Sequence, residues 1–95
     1  MDEKILSLHP DPSKAGVNID KGKYELIRDA ILRVLKAKDG TLFKDLPQGV
    51  EKSLVGKFEG SISWYVTTVK LDLEARNTIE RIAGVSPQRL RLRGK

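Results

Sequence analysis

The run from Ser61 to Arg93, SISWYVTTVKLDLEARNTIERIAGVSPQRLRLR, decides the fold. Its first half has helical spacing. Ile62, Val66, Val69 and Leu73 recur at steps of three and four and share one face, with Tyr65 at its edge. Ser61, just after Gly60, is a suitable N-cap, because its hydroxyl accepts from a free N–H of the first turn. Asn77 follows the last helical residue and tolerates the left-handed conformation that ends many helices. The spacing predicts a helix over Ile62–Arg76. The second half changes period. Ile79–Ala83 and Arg89–Arg93 read as strands, joined by the turn-like Gly84-Val85-Ser86-Pro87-Gln88. In the second strand Leu90 and Leu92 point one way, and Arg89, Arg91 and Arg93 the other. The first strand alternates poorly, which predicts a twist or bulge in it.

Working back toward the N-terminus, two more helices are predicted. One runs over Lys21–Lys38, capped by Asp20, with Tyr24, Ile27, Ile31, Val34 and Leu35 as its apolar stripe. Lys36 and Lys38 suit the negative end of its dipole, and Asp39-Gly40 ends it. The other runs over Lys44–Gly56, with Leu46, Val50 and Leu54 in step and Phe43 and Phe58 flanking. Pro47 is tolerable in its first turn, while Gly49 costs about 1 kcal/mol relative to alanine. Lys57–Gly60 forms the next turn. Thr41-Leu42-Phe43 is short enough to be one extended piece of a small sheet. Residues 4–8 and 16–19 flank the turn-rich segment from His9 to Lys14 and predict a short N-terminal hairpin.

Three helices and then a hairpin is the order of a winged helix. The expected class is α+β, winged-helix-like, with three helices, a C-terminal β-hairpin and a short N-terminal one. One domain over residues 1–95 is expected, with an arm or hairpin at 1–19, a helical core at 20–77 and a wing hairpin at 78–93.

Composition narrows the function classes. The net charge is +5, yet it is local. Residues 79–95 carry five basic side chains and one acidic one, and the remaining residues are nearly balanced. Such an end suits a polyanionic partner, or it is simply solvated. With no cysteine there is no disulfide and no thiolate metal site. No apolar run approaches the ~18–20 residues of a membrane span, and Met1-Asp2-Glu3-Lys4 does not read as a signal peptide. A cytoplasmic protein is expected. His9 is a lone histidine in a loop, and no catalytic triad, ligand cluster or phosphate loop can be drawn. The expectation is therefore no enzyme, no cofactor, no metal and no membrane partner.

Two functions remain. In the first, duplex DNA is the partner. Ser63, Thr67, Lys70 and Glu74 lie roughly 80–140° from the core stripe, on a face open to a groove. Lys70 would contact phosphate or guanine, and Ser63 and Thr67 would donate to phosphates or bases. Arg81, Arg89, Arg91 and Arg93, with Lys95 near, would clamp phosphates. Against this, Asp72 and Glu74 cancel Lys70 and Arg76, and a net-neutral helix is a poor electrostatic partner for DNA and fits a solvated face with helix-stabilising charge pairs better. The arginines would equally protect an exposed strand. In the second, a homodimer or another protein partner meets Trp64 and Leu71. With Ala75 these form a second apolar stripe opposite the first, flanked by Thr68. A helix covered on both sides would make that stripe core. Left open, it is an interface.

The segment Leu71–Arg81, LDLEARNTIER, resembles the helix-to-wing junction of many bacterial and archaeal winged-helix regulators, with Asn77 where glycine is usual. Gly60–Arg76 resembles a family of short, uncharacterised prokaryotic proteins that share an aromatic pair followed by a Thr-Val-x-Leu-Asp-Leu-Glu-Ala helix. Lys23-Tyr24 and Pro87-Gln88 fit the same pattern, so the resemblance covers most of residues 20–93. It implies membership and carries no activity with it.

Overall fold

A computed structural model describes residues 3–11, 13–38, 40–54, 56, 58–84 and 87–93. Strands β1 (Lys4–Ser7) and β2 (Val17–Asp20) pair as an antiparallel hairpin, with Lys4 opposite Asp20 and Ser7 opposite Val17. β2 runs directly into α1 (Lys21–Ala37). Asp20 closes the strand and caps the helix, its carboxylate accepting from the Lys23 N–H at 2.9 Å. After Gly40 come β3 (Thr41–Leu42), a 3₁₀ turn (Phe43–Asp45), α2 (Leu46–Ser53), α3 (Ile62–Ala75), β4 (Ile79–Arg81) and β5 (Arg89–Leu92). The second sheet has the order β3-β5-β4, all antiparallel. The protein is thus α+β, with three helices and a C-terminal hairpin in a winged-helix-like arrangement.

The three helical stripes converge on one core. Ile27, Ala30, Ile31 and Leu35 of α1 meet Leu46 and Val50 of α2 and Val66, Val69 and Leu73 of α3. Ile79 and Leu90 close it from the sheet. Leu90 is on the central strand, opposite both Thr41 and Arg81, and is fully buried. Each such burial stabilises by about 1.5–3 kcal/mol. Gly49 has a packing reason. A Cβ there would lie 3.1 Å from Val34 Cγ2, so glycine lets α2 approach α1 closely.

The end of α3 aims the hairpin. Asn77 has φ +63°. The Thr78 N–H donates to Leu73 O at 2.9 Å and the Asn77 N–H to Glu74 O at 3.0 Å, the paired bonds of a Schellman cap. This reverses the chain into β4.

Two expectations about the elements are corrected. The second helix does not begin at Lys44. The Phe43 N–H donates to Gln88 O at 2.9 Å, which ties residue 43 to the sheet, and a tight 3₁₀ turn leads from there into Leu46. At its far end Leu54 leaves helical geometry with ψ 22°, and the helix stops at Ser53. The bulge in the first wing strand is also not there. Ile79 pairs with Leu92, Glu80 with Arg91 and Arg81 with Leu90 in one register, and the Ile82 N–H continues it to Arg89 O at 3.0 Å. The poor alternation comes instead from Arg81, which shares the Ile79 face but reaches toward Glu74 on α3. Asp39, Lys57, Val85, Ser86 and Lys95, on which some expectations for turns and charge fell, lie outside the described residues.

The left-handed cap is testable by urea unfolding. Asn77→Val is expected to lower stability by about 1–2 kcal/mol, because a β-branched residue is strained at positive φ. Asn77→Gly is expected to retain it.

Candidate functional site

α3 and the hairpin carry the residues in question. Ser63 and Thr67 are exposed. Lys70 is not, with only 3% of its surface open. Its ammonium lies 2.8 Å from Glu74 Oε2 and 4.7 Å from the centre of the Phe43 ring. The ammonium thus makes an ion pair with Glu74 on one side and a cation–π contact with Phe43 on the other. The expected groove-facing Lys70 is thus corrected: the 3₁₀ turn lays Phe43 over it.

The wing arginines are divided. Arg91 Nε donates to Glu80 Oε2 at 2.7 Å, a pair that follows from the β4–β5 register. Arg81 Nε lies 3.8 Å from Glu74 Oε1. Arg89 donates to Gly40 O at 2.9 Å and Arg93 to Asn77 Oδ1 at 3.3 Å, both neutral acceptors. Exposed ion pairs contribute only about 0–1 kcal/mol to stability. Their larger effect is on the field, since Glu74 faces both Lys70 and Arg81 while Glu80 faces Arg91. The structure does not bring Lys70 and the four arginines into one cationic surface.

Of the two readings of the stripe Trp64-Leu71-Ala75, core does not hold for Trp64, which is 46% exposed, while Leu71 and Ala75 are half-buried. The N-terminal hairpin covers α3 from one side. Ser7 Oγ donates to Thr68 O at 3.1 Å, and the Leu8 N–H donates to Asp72 Oδ1 at 2.8 Å. Trp64 stays outside that cover. It stands edge-on to Tyr65, with ring centres 4.9 Å apart and planes at 81°, and Tyr65 meets Phe58 in the same way at 5.1 Å. The strip Ser63, Trp64, Thr67 and Leu71 carries no formal charge.

Sequence reasoning missed Asp72. It reads as one of two acids cancelling Lys70 and Arg76, but its side chain is fully buried. Its carboxylate accepts from the Leu8 N–H, from the Tyr24 hydroxyl, and from Arg76 Nε at 2.9 Å to both oxygens. Arg76 also reaches Leu6 O at 3.4 Å. Burial, and then the Asp72 carboxylate, push the Tyr24 hydroxyl up to about 12. The hydrogen bond to Asp72 raises Arg76 above its ordinary value. The available signal was the i, i+4 step from Asp72 to Arg76, together with the place of Asp72 beside Val69 and Tyr65 on the helical wheel. This cluster positions segments. Among the described residues no group of three His, Cys, Asp or Glu side chains could hold a metal, and no helix is long and apolar enough to cross a membrane.

Fold and surface together define a small α+β protein with a winged-helix-like arrangement and a partly bare third helix. The chain belongs to a family of unknown function (DUF6958), whose model matches residues 4–90. No curated protein and no solved structure matches it. Membership in an uncharacterised family agrees with the resemblance noted above. The aromatic-pair motif and the likeness to winged-helix regulators rest only on the residues quoted for them.

Two measurements test the buried cluster. Asp72→Asn keeps the volume but removes the charge that Arg76 and Tyr24 face, and is expected to cost about 3 kcal/mol in urea unfolding. The Tyr24 hydroxyl has a higher pKa folded than unfolded, so its proton stabilises the fold fully below pH 10.0 and this contribution fades as pH rises toward about 12. Tyr24→Phe is expected to flatten that part of the stability–pH curve.

Proposed function

We propose that the protein is a protein-interaction module of winged-helix-like form that pairs with a second copy of itself through α3. The observation that carries this reading is Trp64, 46% exposed on a strip of α3 that bears no formal charge. Aromatic side chains with bare flanks are typical interface anchors. A two-fold interface must be self-complementary. An antiparallel pair of α3 helices with its axis near Thr67 would set Trp64 of each copy over Leu71 of the other. The small Thr67 would allow close approach at the crossing. A chain of net charge +5 resists self-association through its cationic surfaces, and this strip is where the charge is not.

Sedimentation equilibrium tests the pairing. Thr67→Arg places like charges across the axis, and Trp64→Ala removes the anchor. Both sites are exposed, so each variant is expected to weaken self-association at least tenfold with an unchanged melting temperature. A protein that stays monomeric up to about 1 mM overturns the reading, because an association weaker than about 4 kcal/mol holds no dimer.

Duplex DNA binding is the second reading. It is favoured by Arg89 and Arg93, which contact only neutral oxygens among the described residues and keep their charge on the hairpin. Ser63 and Thr67 would meet the groove, while Arg81 and Arg91 would first have to leave Glu74 and Glu80. On this reading affinity falls steeply with salt, and the double change Arg89→Ala, Arg91→Ala reduces the salt slope by about 2. Absence of duplex binding at low salt overturns it.

A further inference from the structure

A second surface has chemistry that the self-association reading does not use and that shares only Arg93 with the DNA reading. A shallow groove of about 370 Å³ runs between α1 and β5. Its floor is Leu32 and Leu92, partly buried and packed against the core. Its rim carries Arg33 and Lys36 from α1 and Arg93 just after β5. The geometry follows from two periods. Asp29, Leu32, Arg33 and Lys36 share one helical face, and β5 brings Leu92 to the core side with Arg93 next along the chain.

The rim keeps its charge. Arg33 donates to Ser53 Oγ at 2.8 Å and Arg93 to Asn77 Oδ1, so neutral acceptors hold both guanidiniums in place. Among the described residues Asp29 is the only acid lining the groove, and Arg28 Nε already holds its Oδ1 at 2.9 Å. Three cations around an apolar floor do not suit a neutral hydrocarbon, which would leave the rim unused. They do not suit a bare inorganic anion either, which would leave the floor unused. Small-molecule sites occupy about 300–1,000 Å³, and this groove falls within that range.

We propose that the α1–β5 groove binds a small amphipathic anion of the aliphatic carboxylate class. The chain lies on Leu32 and Leu92, and the carboxylate sits among Arg33, Lys36 and Arg93. No residue of this site belongs to the α3 strip, so the proposal stands apart from self-association.

The test titrates the full chain with decanoate below its micelle concentration and follows the leucine methyl resonances. Saturable shifts centred on Leu32 and Leu92 are expected. The double change Lys36→Ala, Arg93→Ala removes two exposed cations and is expected to weaken binding at least tenfold with an unchanged melting temperature. Decanol and inorganic phosphate are each expected to bind at least tenfold more weakly than decanoate. The proposal is overturned by no saturable shift, by binding that the double variant leaves intact, or by phosphate binding as tightly as decanoate. Co-sedimentation with phosphatidylglycerol vesicles, without any response to free decanoate, would assign the surface to a membrane and overturn it as well.

Discussion

Asp72 is a carboxylate without solvent, and two distant parts of the chain converge on it beside Arg76 of its own helix. Burying an ionised group costs several kcal/mol unless donors replace its water. Here a strand-end amide, a tyrosine hydroxyl and a guanidinium do so. An isolated two-stranded hairpin is marginal in water. Through Asp72, the β1–β2 hairpin gains a fixed seat on α3, next to the first turns of α1. The same seating decides what remains open, because cover on the Thr68 and Asp72 side of α3 leaves the Trp64 side bare.

The charge pattern follows from the fold in a comparable way. The β4–β5 register puts Glu80 opposite Arg91, and the cap at Asn77 turns the hairpin back so that Arg81 approaches Glu74. The acids that blunt the wing are therefore supplied by the elements that build it. A winged-helix-like arrangement alone does not create a surface for polyanions, and fold does not imply function. Among the described residues, an uncharged aromatic strip on α3 and a cationic rim over leucines between α1 and β5 keep chemistry that the fold leaves unmatched.

What was legible in the sequence was local. Asp20 and Ser61 as caps, Asn77 as the left-handed terminator, both hairpins and the helical stripes depend on residues a few positions apart. What was not legible depended on which distant group arrives to cover a side chain. Lys70 is buried because Phe43 packs over it from another element. Trp64 is exposed because the N-terminal hairpin lands to one side of it. Asp72 is an ordinary helical acid until Leu8, 64 residues away, donates to it. Arg33 and Lys36 were readable as a pair on one helical face, but Arg93, which completes the rim, joins them only through the sheet.

The long reach from Leu8 to Asp72 also imposes an order on synthesis. Strand β1 leaves the ribosome before α3, the helix on which its seat lies. Until residue 72 has emerged, the Ser7 hydroxyl and the Leu8 N–H lack their acceptors on α3, and the β1–β2 hairpin has no seat. A truncated or stalled chain would therefore show chaperones and proteases a different face from the finished one.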